Sequence, residues 1–279
     1  MALAQSRVTR PVKKVLLVGA NSFLARAVLA AAPPDIAITA CAHDSFTHID
    51  FSCFDIITNF SWNPGYRTSP YDESLDQDLA VARRAARAGR HFVMLSTRRV
   101  YGTRSPFPAR SDTPLAPSDT YSRNKAQTEM ALRDLPGGGL TVLRVANVFG
   151  FEPGRPTFFG IALTSLRARG RIVLDCAATV RRDFLPAENF ASAFCRVLRD
   201  TPSGTFNLGA GSATALGDIA SALFRGFGRG ELLVTSPQEH DSFLLDSGPL
   251  VDRIGPYCTP ADIVARCIEI GKKLHENRT

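Results

Sequence analysis

The stretch Val15-Leu16-Leu17-Val18-Gly19-Ala20-Asn21-Ser22-Phe23-Leu24-Ala25 decides the fold. Residues 15–18 are a short, branched apolar run of the kind that a parallel strand buried on both faces requires. Gly19 opens a tight turn, and residues 26–32 read as a helix that Pro33-Pro34 stops. Such a turn aims free backbone N–H groups and a helix dipole at one spot, an arrangement that suits a pyrophosphate. The spacing is that of G-x-x-G-x-x-G with one glycine kept. Ser22 stands where the backbone must approach the phosphates, and Ala25 stands where helix packs on strand. Taken alone, the turn is equally readable as an ordinary strand–helix connection.

Working outward, apolar runs at 36–41, 54–59, 92–96 and 140–145 read as further strands. Helices are expected at 75–88, ended by Gly89, and from 121 to about 135, ended by Pro136-Gly137-Gly138-Gly139. The alternation predicts an α/β, Rossmann-like, doubly wound parallel sheet. The segment between Cys41 and Phe54 is too short for a full crossover helix. Beyond Asn147 the pattern loosens into loops, short strands and a helix near 160–169. The expected division is a flexible tail at 1–12, a dinucleotide-binding domain at 13–148, and a small C-terminal lobe at 149–279 that binds substrate and returns some elements to the first domain.

Composition narrows the function. No run approaches the roughly 20 apolar residues of a membrane span, and the first dozen residues lack the apolar stretch of a signal peptide. A cytoplasmic protein with reduced thiols is expected: the six cysteines are scattered without metal-like spacing. No metal site is expected. The formal net charge is +7, but the basic residues are dispersed and not gathered with aromatics, so nucleic acid is not the expected partner. Positive potential around a site for a dianionic diphosphate accounts for the charge better.

Tyr121 and Lys125 stand four apart in Tyr121-Ser122-Arg123-Asn124-Lys125 and share a helix face. An ammonium beside a phenol favours the phenolate, which can exchange a proton with an alcohol or ketone. Thr97, ending Leu95-Ser96-Thr97, can hold the same substrate oxygen.

These segments resemble the extended short-chain dehydrogenases/reductases of the NAD-dependent epimerase/dehydratase group. Thr97 precedes Val100-Tyr101-Gly102 as the Ser/Thr of that family precedes V-Y-G. Pro114-Leu115-Ala116-Pro117 followed by Tyr121, Lys125 and Glu129 matches P-L-x-P…Y-x-x-x-K…E. Leu143-Arg144-Val145-Ala146-Asn147-Val148-Phe149-Gly150, Arg182-Asp183-Phe184 and Phe206-Asn207-Leu208-Gly209 are similar to three more family segments. The resemblance implies Thr97, Tyr121 and Lys125 as the catalytic set, with Lys125 also on the nicotinamide ribose. It implies a cofactor groove formed by Gly19, Asn21, Ser22, Phe23, Leu24, His43, Asn59, Phe60 and Ser61. Substrate contacts are expected from Thr97, Arg98, Asn147 and Arg182. Asn147 is otherwise an Asx turn, and Arg181 a solvated neighbour. Phe60 and Trp62 either narrow the pocket or pack under the sheet.

The cofactor is NADP or NAD, with a lean to NADP. His43 follows the second strand and reads either way, Asp44 stands one or two positions late for a ribose hydroxyl, and Arg26 is nearby. The expected substrate is a nucleotide-diphosphate sugar, and a homodimer is expected through helices 75–88 and 121–135. Dehydratases of the family carry Asp-Glu after the catalytic threonine. Here Arg98 and Arg99 stand there, and arginine stays protonated, so 4-keto reduction or 4-epimerisation is expected and 4,6-dehydration is not. Two other readings stay open: a non-catalytic dinucleotide-binding sensor or scaffold, and a reductase of another small carbonyl compound.

Overall fold

The computed structural model describes residues 11–277; the expected tail lies outside the described residues except for Pro11 and Val12. The first half comprises β1 (Lys13–Val18), α1 (Phe23–Ala31), β2 (Ile36–Cys41), β3 (Ile56–Asn59), α2 (Gln77–Arg87), β4 (His91–Thr97), α3 (Thr120–Arg133) and β5 (Leu140–Val145). The second half adds β6 (Asn147–Phe149), α4 (Phe158–Arg169), β7 (Arg171–Leu174), β8 (Arg181–Pro186), α5 (Ala187–Asp200), β9 (Gly204–Leu208), β10 (Ala213–Ala215), α6 (Leu216–Phe227), β11 (Glu231–Val234), α7 (Gly248–Ile254) and α8 (Pro260–Glu276).

Six parallel strands form the main sheet in the order β2-β1-β3-β4-β5-β9. Val15, Leu16, Leu17 and Val18 of β1 are all fully buried, as the apolar run requires of a strand covered on both faces. Alternation divides them. Val15 and Leu17 pack with Phe190, Phe194 and Leu198 of α5. Leu16 and Val18 pack with Leu79, Ala82 and Met94 on the opposite face. Thus α5 and β9, from the second half of the chain, complete the layers of the first.

No α-helix joins β2 to β3. Two short 3₁₀ turns, Phe46–His48 and Phe51–Cys53, stand in its place. Phe51 is buried against the sheet, and the Arg84 guanidinium lies 4.7 Å over its ring while donating to the carbonyls of Phe46 and Ile49. A ring and a stacked cation thereby cover the surface that a crossover helix would cover.

The remaining strands form a three-stranded sheet, β10-β8-β6, and a pair, β11-β7. Their core gathers Phe149, Phe159, Phe184, Leu223, Phe227 and Ile270. Among the described residues no helix is long and apolar enough to cross a membrane.

Candidate active site

The turn after β1 has the geometry its glycine demands. Gly19 has φ +90°, and a Cβ there would come within 2.6 Å of the Ser61 amide nitrogen. The N–H groups of Gly19 and Ala20 both donate to the Cys41 carbonyl, at 2.9 and 3.1 Å, lashing the turn to the end of β2. Ser22 needs no positive φ. It is extended, and its Oγ accepts from the Ala25 N–H at 3.2 Å, capping α1. The loss of the second glycine is therefore absorbed as a helix cap. The N–H groups of Phe23 and Leu24, in the first turn of α1, have no acceptor within the helix. Asn21 accepts from Arg26 through its carbonyl, and Arg26 also reaches Glu152. His43 is exposed beyond β2.

From this turn a cavity of about 170 Å³ runs to Tyr121 and Lys125, bordered by Ser22, Phe23, Leu24, Asn59, Phe60, Ser61, Trp62, Leu95 and Ser96. The alternatives for its aromatics resolve differently. Phe60 is core, edge-on to Phe194 with ring centroids 5.2 Å apart. Trp62 is exposed at the rim. Asn59, expected to face the cofactor, has its amide committed to protein. It donates to the Ser61 carbonyl at 2.9 Å and to Asp78 at 2.8 Å, and accepts from the amide and hydroxyl of Ser61.

Lys125 is buried. Its Nζ donates to Asp78 Oδ2 at 2.6 Å and to the Leu95 carbonyl at 3.0 Å. Burial by itself pulls the lysine pKa down, but the charge of Asp78, reinforced by Tyr121 and Tyr66, outweighs it and holds the ammonium above the ordinary lysine range. Two of its three protons are engaged, leaving one for a ligand. Asp78 is a site residue that the sequence reading missed. Its signal was an acid beside Leu79 and one turn before Ala82 on the apolar face of α2.

A larger cavity of about 430 Å³ adjoins the first; Leu24, Ser96, Tyr121, Val145 and Arg155 border both. Thr97, Asn147 and Arg182 line it, as do Arg67, Arg99 and Asp241. Thr97 Oγ1 accepts from the Arg99 N–H at 3.3 Å, where β4 gives way to a 3₁₀ turn. Asn147 starts β6 and makes no Asx-turn hydrogen bond. Arg98 departs from expectation. Its two terminal nitrogens donate to Asp241 at 2.6 and 2.8 Å, and its guanidinium stacks 3.8 Å over Phe243. It anchors the 236–247 segment instead of offering those donors to a substrate. Arg182 shares that anchor, donating through Nε to the Asp241 carbonyl at 3.2 Å while still bordering the cavity. Burial would raise the pKa of Asp241, but Arg98 and Arg182 hold it below the usual carboxylate range.

The other motif residues are buried scaffold. Glu129 accepts from Ser96 and, bidentately, from Arg144. Arg144 also donates to Tyr101, whose hydroxyl donates to Asn207 at 2.6 Å. Gly102 (φ +80°) lies so close to the Ala116 carbonyl that a Cβ would overlap it, which fastens Val100-Tyr101-Gly102 to Pro114-Leu115-Ala116-Pro117. Asp183 accepts from the N–H groups of Ala210 and Leu245. No metal site was expected from cysteine spacing, yet the fold brings one ligand atom each of Asp175, Cys176 and His240 within 4.8 Å of one another.

A model described as "NAD dependent epimerase/dehydratase family" matches residues 55–209, more than half of the chain. Among curated proteins, none matches the sequence. Solved structures match its fold. A UDP-N-acetylglucosamine 4-epimerase from Methanobrevibacter ruminantium, in complex with UDP-N-acetylmuramic acid, aligns with TM-score 0.80 at 16% identity, over 97% of this chain and 100% of that one. The NAD-dependent NDP-hexosamine 5,6-dehydratase TunA aligns with TM-score 0.78 at 17% identity, over 96% and 99%. RMD from Pseudomonas aeruginosa, complexed with NADPH, aligns with TM-score 0.75 at 17% identity, over 95% and 100%.

Proposed function

Because the chain belongs to the NAD dependent epimerase/dehydratase family, we propose that it oxidises or reduces the C4 position of a nucleoside-diphosphate sugar with NAD or NADP. The observation that carries this reading is that Tyr121 borders both cavities, with Lys125 in the smaller and Thr97 in the larger. Three features of the groove support a dinucleotide. Gly19 cannot carry a side chain, the Phe23 and Leu24 N–H groups suit a pyrophosphate, and the third Lys125 proton suits a ribose hydroxyl. Of the two cofactors NADP is favoured, because Ala42 and His43, not a carboxylate, follow β2 directly. Bound nicotinamide supplies or accepts the hydride at C4.

The protein's residues handle the proton. Tyr121 takes it from the C4 hydroxyl during oxidation and returns it during reduction. Thr97 orients that oxygen. Lys125, kept charged by Asp78, sets a positive charge near the Tyr121 side chain. Asn147 and Arg182 border the cavity where the nucleotide diphosphate of the substrate would lie.

Dehydration is disfavoured because Arg98 and Arg99 follow Thr97, and the acids they meet, Asp241 and Asp119, are held in ion pairs. Two outcomes use the same residues: a 4-epimerase, which re-reduces its own ketone, and a 4-keto reductase. Mass spectrometry of ligand retained on purification, followed by assays with NADPH and 4-keto sugar nucleotides, separates them. Tightly held oxidised cofactor identifies the epimerase, and turnover that consumes NADPH identifies the reductase. Formation of a 4-keto-6-deoxy product from a 4-hydroxy hexose would refute the exclusion of dehydration.

A further inference from the structure

Five arginines border the larger cavity, and four have a carboxylate partner: Arg98 and Arg182 meet Asp241, Arg99 meets Asp119 at 2.7 Å, and Arg155 meets Glu152 at 2.7 Å. Arg67 has none among the described residues. Its guanidinium lies between two rings, 4.9 Å from the centroid of Trp62 and 5.3 Å from that of Tyr121.

The position of Arg67 is built. It ends a 3₁₀ turn, Pro64–Arg67, that Asn63 caps by accepting from the Gly65 N–H at 2.9 Å. Its neighbour Tyr66 is buried, with its carbonyl accepting from Asn124 at 2.7 Å and its hydroxyl 2.6 Å from Thr128, both on α3. The turn that carries Arg67 is therefore fastened to the helix that carries Tyr121. Among the described residues no hydrogen bond engages the guanidinium, and its donors match a carboxylate bidentately.

We infer that Arg67 reads a carboxylate on the reacting sugar ring, so that the substrate is a nucleoside-diphosphate uronic acid. The inference rests on the function proposed above. The geometry selects the ring over the diphosphate. An anion that meets a cation stacked on the Tyr121 ring lies close to the carbon whose oxygen Tyr121 serves. A hexose can carry that charge at C6, one carbon from C5 and two from C4. The phosphates extend away, toward Asn147 and Arg182.

The test is isothermal titration of UDP-, dTDP- and GDP-linked hexoses and the matching uronic acids against the cofactor-loaded protein, for wild type, Arg67→Met and Arg67→Lys. A charge-assisted arginine–carboxylate contact corresponds to roughly 10–150-fold in affinity. The expected result is that one uronic acid binds at least tenfold tighter than its neutral partner. Arg67→Met removes that preference while the neutral sugar stays within threefold, and Arg67→Lys keeps part of it. Equal binding of acid and neutral sugars by wild type overturns this inference and leaves the C4 reading intact. Equal loss of both in Arg67→Met overturns it in favour of a supporting role for Tyr121. Binding of no nucleotide sugar overturns both readings.

Discussion

Replacing Asp78 by Asn tests the most consequential contact in the site. Asp78 and Lys125 are buried to all but 5% and 7% of their side-chain surface and lie 2.6 Å apart. Removing one member of a buried pair strands the other charge and costs roughly 3–5 kcal/mol. For a chain of about this size, roughly 2–4 °C per kcal/mol predicts a fall in Tm of roughly 6–20 °C. Asparagine keeps an oxygen for the Asn59 amide, so the loss is assigned to the ion pair. In wild type the folded-state pKa of Lys125 is raised. The stability it contributes is therefore fully present below the unfolded lysine value of about 10.4 and is lost only as pH rises beyond it. In Asp78→Asn burial is no longer outweighed, so Lys125 loses its proton at lower pH, and kcat falls with rising pH over a range where wild type is flat. Adding Lys125→Met to Asp78→Asn removes the stranded charge and recovers part of the Tm without recovering activity. Thermal unfolding of wild type, Asp78→Asn, Lys125→Met and the double variant closes a double-mutant cycle. Additivity within about 0.5 kcal/mol, or a kcat–pH profile unchanged by Asp78→Asn, would refute the role given to this pair.

Tyr121→Phe should lower kcat by about 10²–10⁴-fold while dinucleotide affinity, read by fluorescence titration, holds; activity within threefold of wild type sinks the assignment. Gly102→Ala must place a Cβ onto the Ala116 carbonyl at φ +80°, whereas Gly89→Ala at φ +65° meets nothing within 4 Å. The first should therefore unfold at a much lower temperature than the second, and equal Tm values would contradict the packing described. Burial pushes Asp183 from 3.8 up to about 7. The unfolded chain then ionises first, and stability falls as pH rises from about 4 to 7. Across that window the stability of Asp183→Asn relative to wild type should gain up to about 4 kcal/mol, at about 1.36 kcal/mol per pKa unit. A pH-independent difference counts against it.

The parallel sheet was legible because its evidence is local. Four consecutive apolar residues in β1, closed by a glycine turn, suit a strand covered on both faces, and the short span from Cys41 to Phe54 showed that no crossover helix fits. The sequence put Thr97, Tyr121 and Lys125 forward from two separate motifs, and the fold brings Tyr121 to both cavities, Lys125 to the smaller and Thr97 to the larger. What was hidden depends on distant partners. Arg98 reads as a substrate ligand until Asp241, 143 residues away, reaches it, and Lys125 meets an acid 47 residues earlier. Arg67 and Arg98 are the same residue type facing the same cavity. Only the course of the loops decides that one is neutralised and the other is free.

The helix α3 explains why its chemistry was easier to read than its packing. Tyr121, Lys125 and Glu129 recur every four residues, so one face carries all three. That face points inward: Tyr121 to the cavities, Lys125 to Asp78 on α2, and Glu129 to Arg144 on β5. A helix with a polar inner face shows little apolar periodicity, and the usual signal of amphipathic packing fades. The buried groups still satisfy one another. Lys125 donates to the Leu95 carbonyl and Glu129 accepts from Ser96, so consecutive residues of β4 are each gripped from α3. Thr97 is the next residue, and it borders the larger cavity. The two ion pairs hold the Lys125 and Glu129 side chains, and the hydrogen bonds of those side chains fix the end of β4 against α3, and with it the position of Thr97 relative to Tyr121.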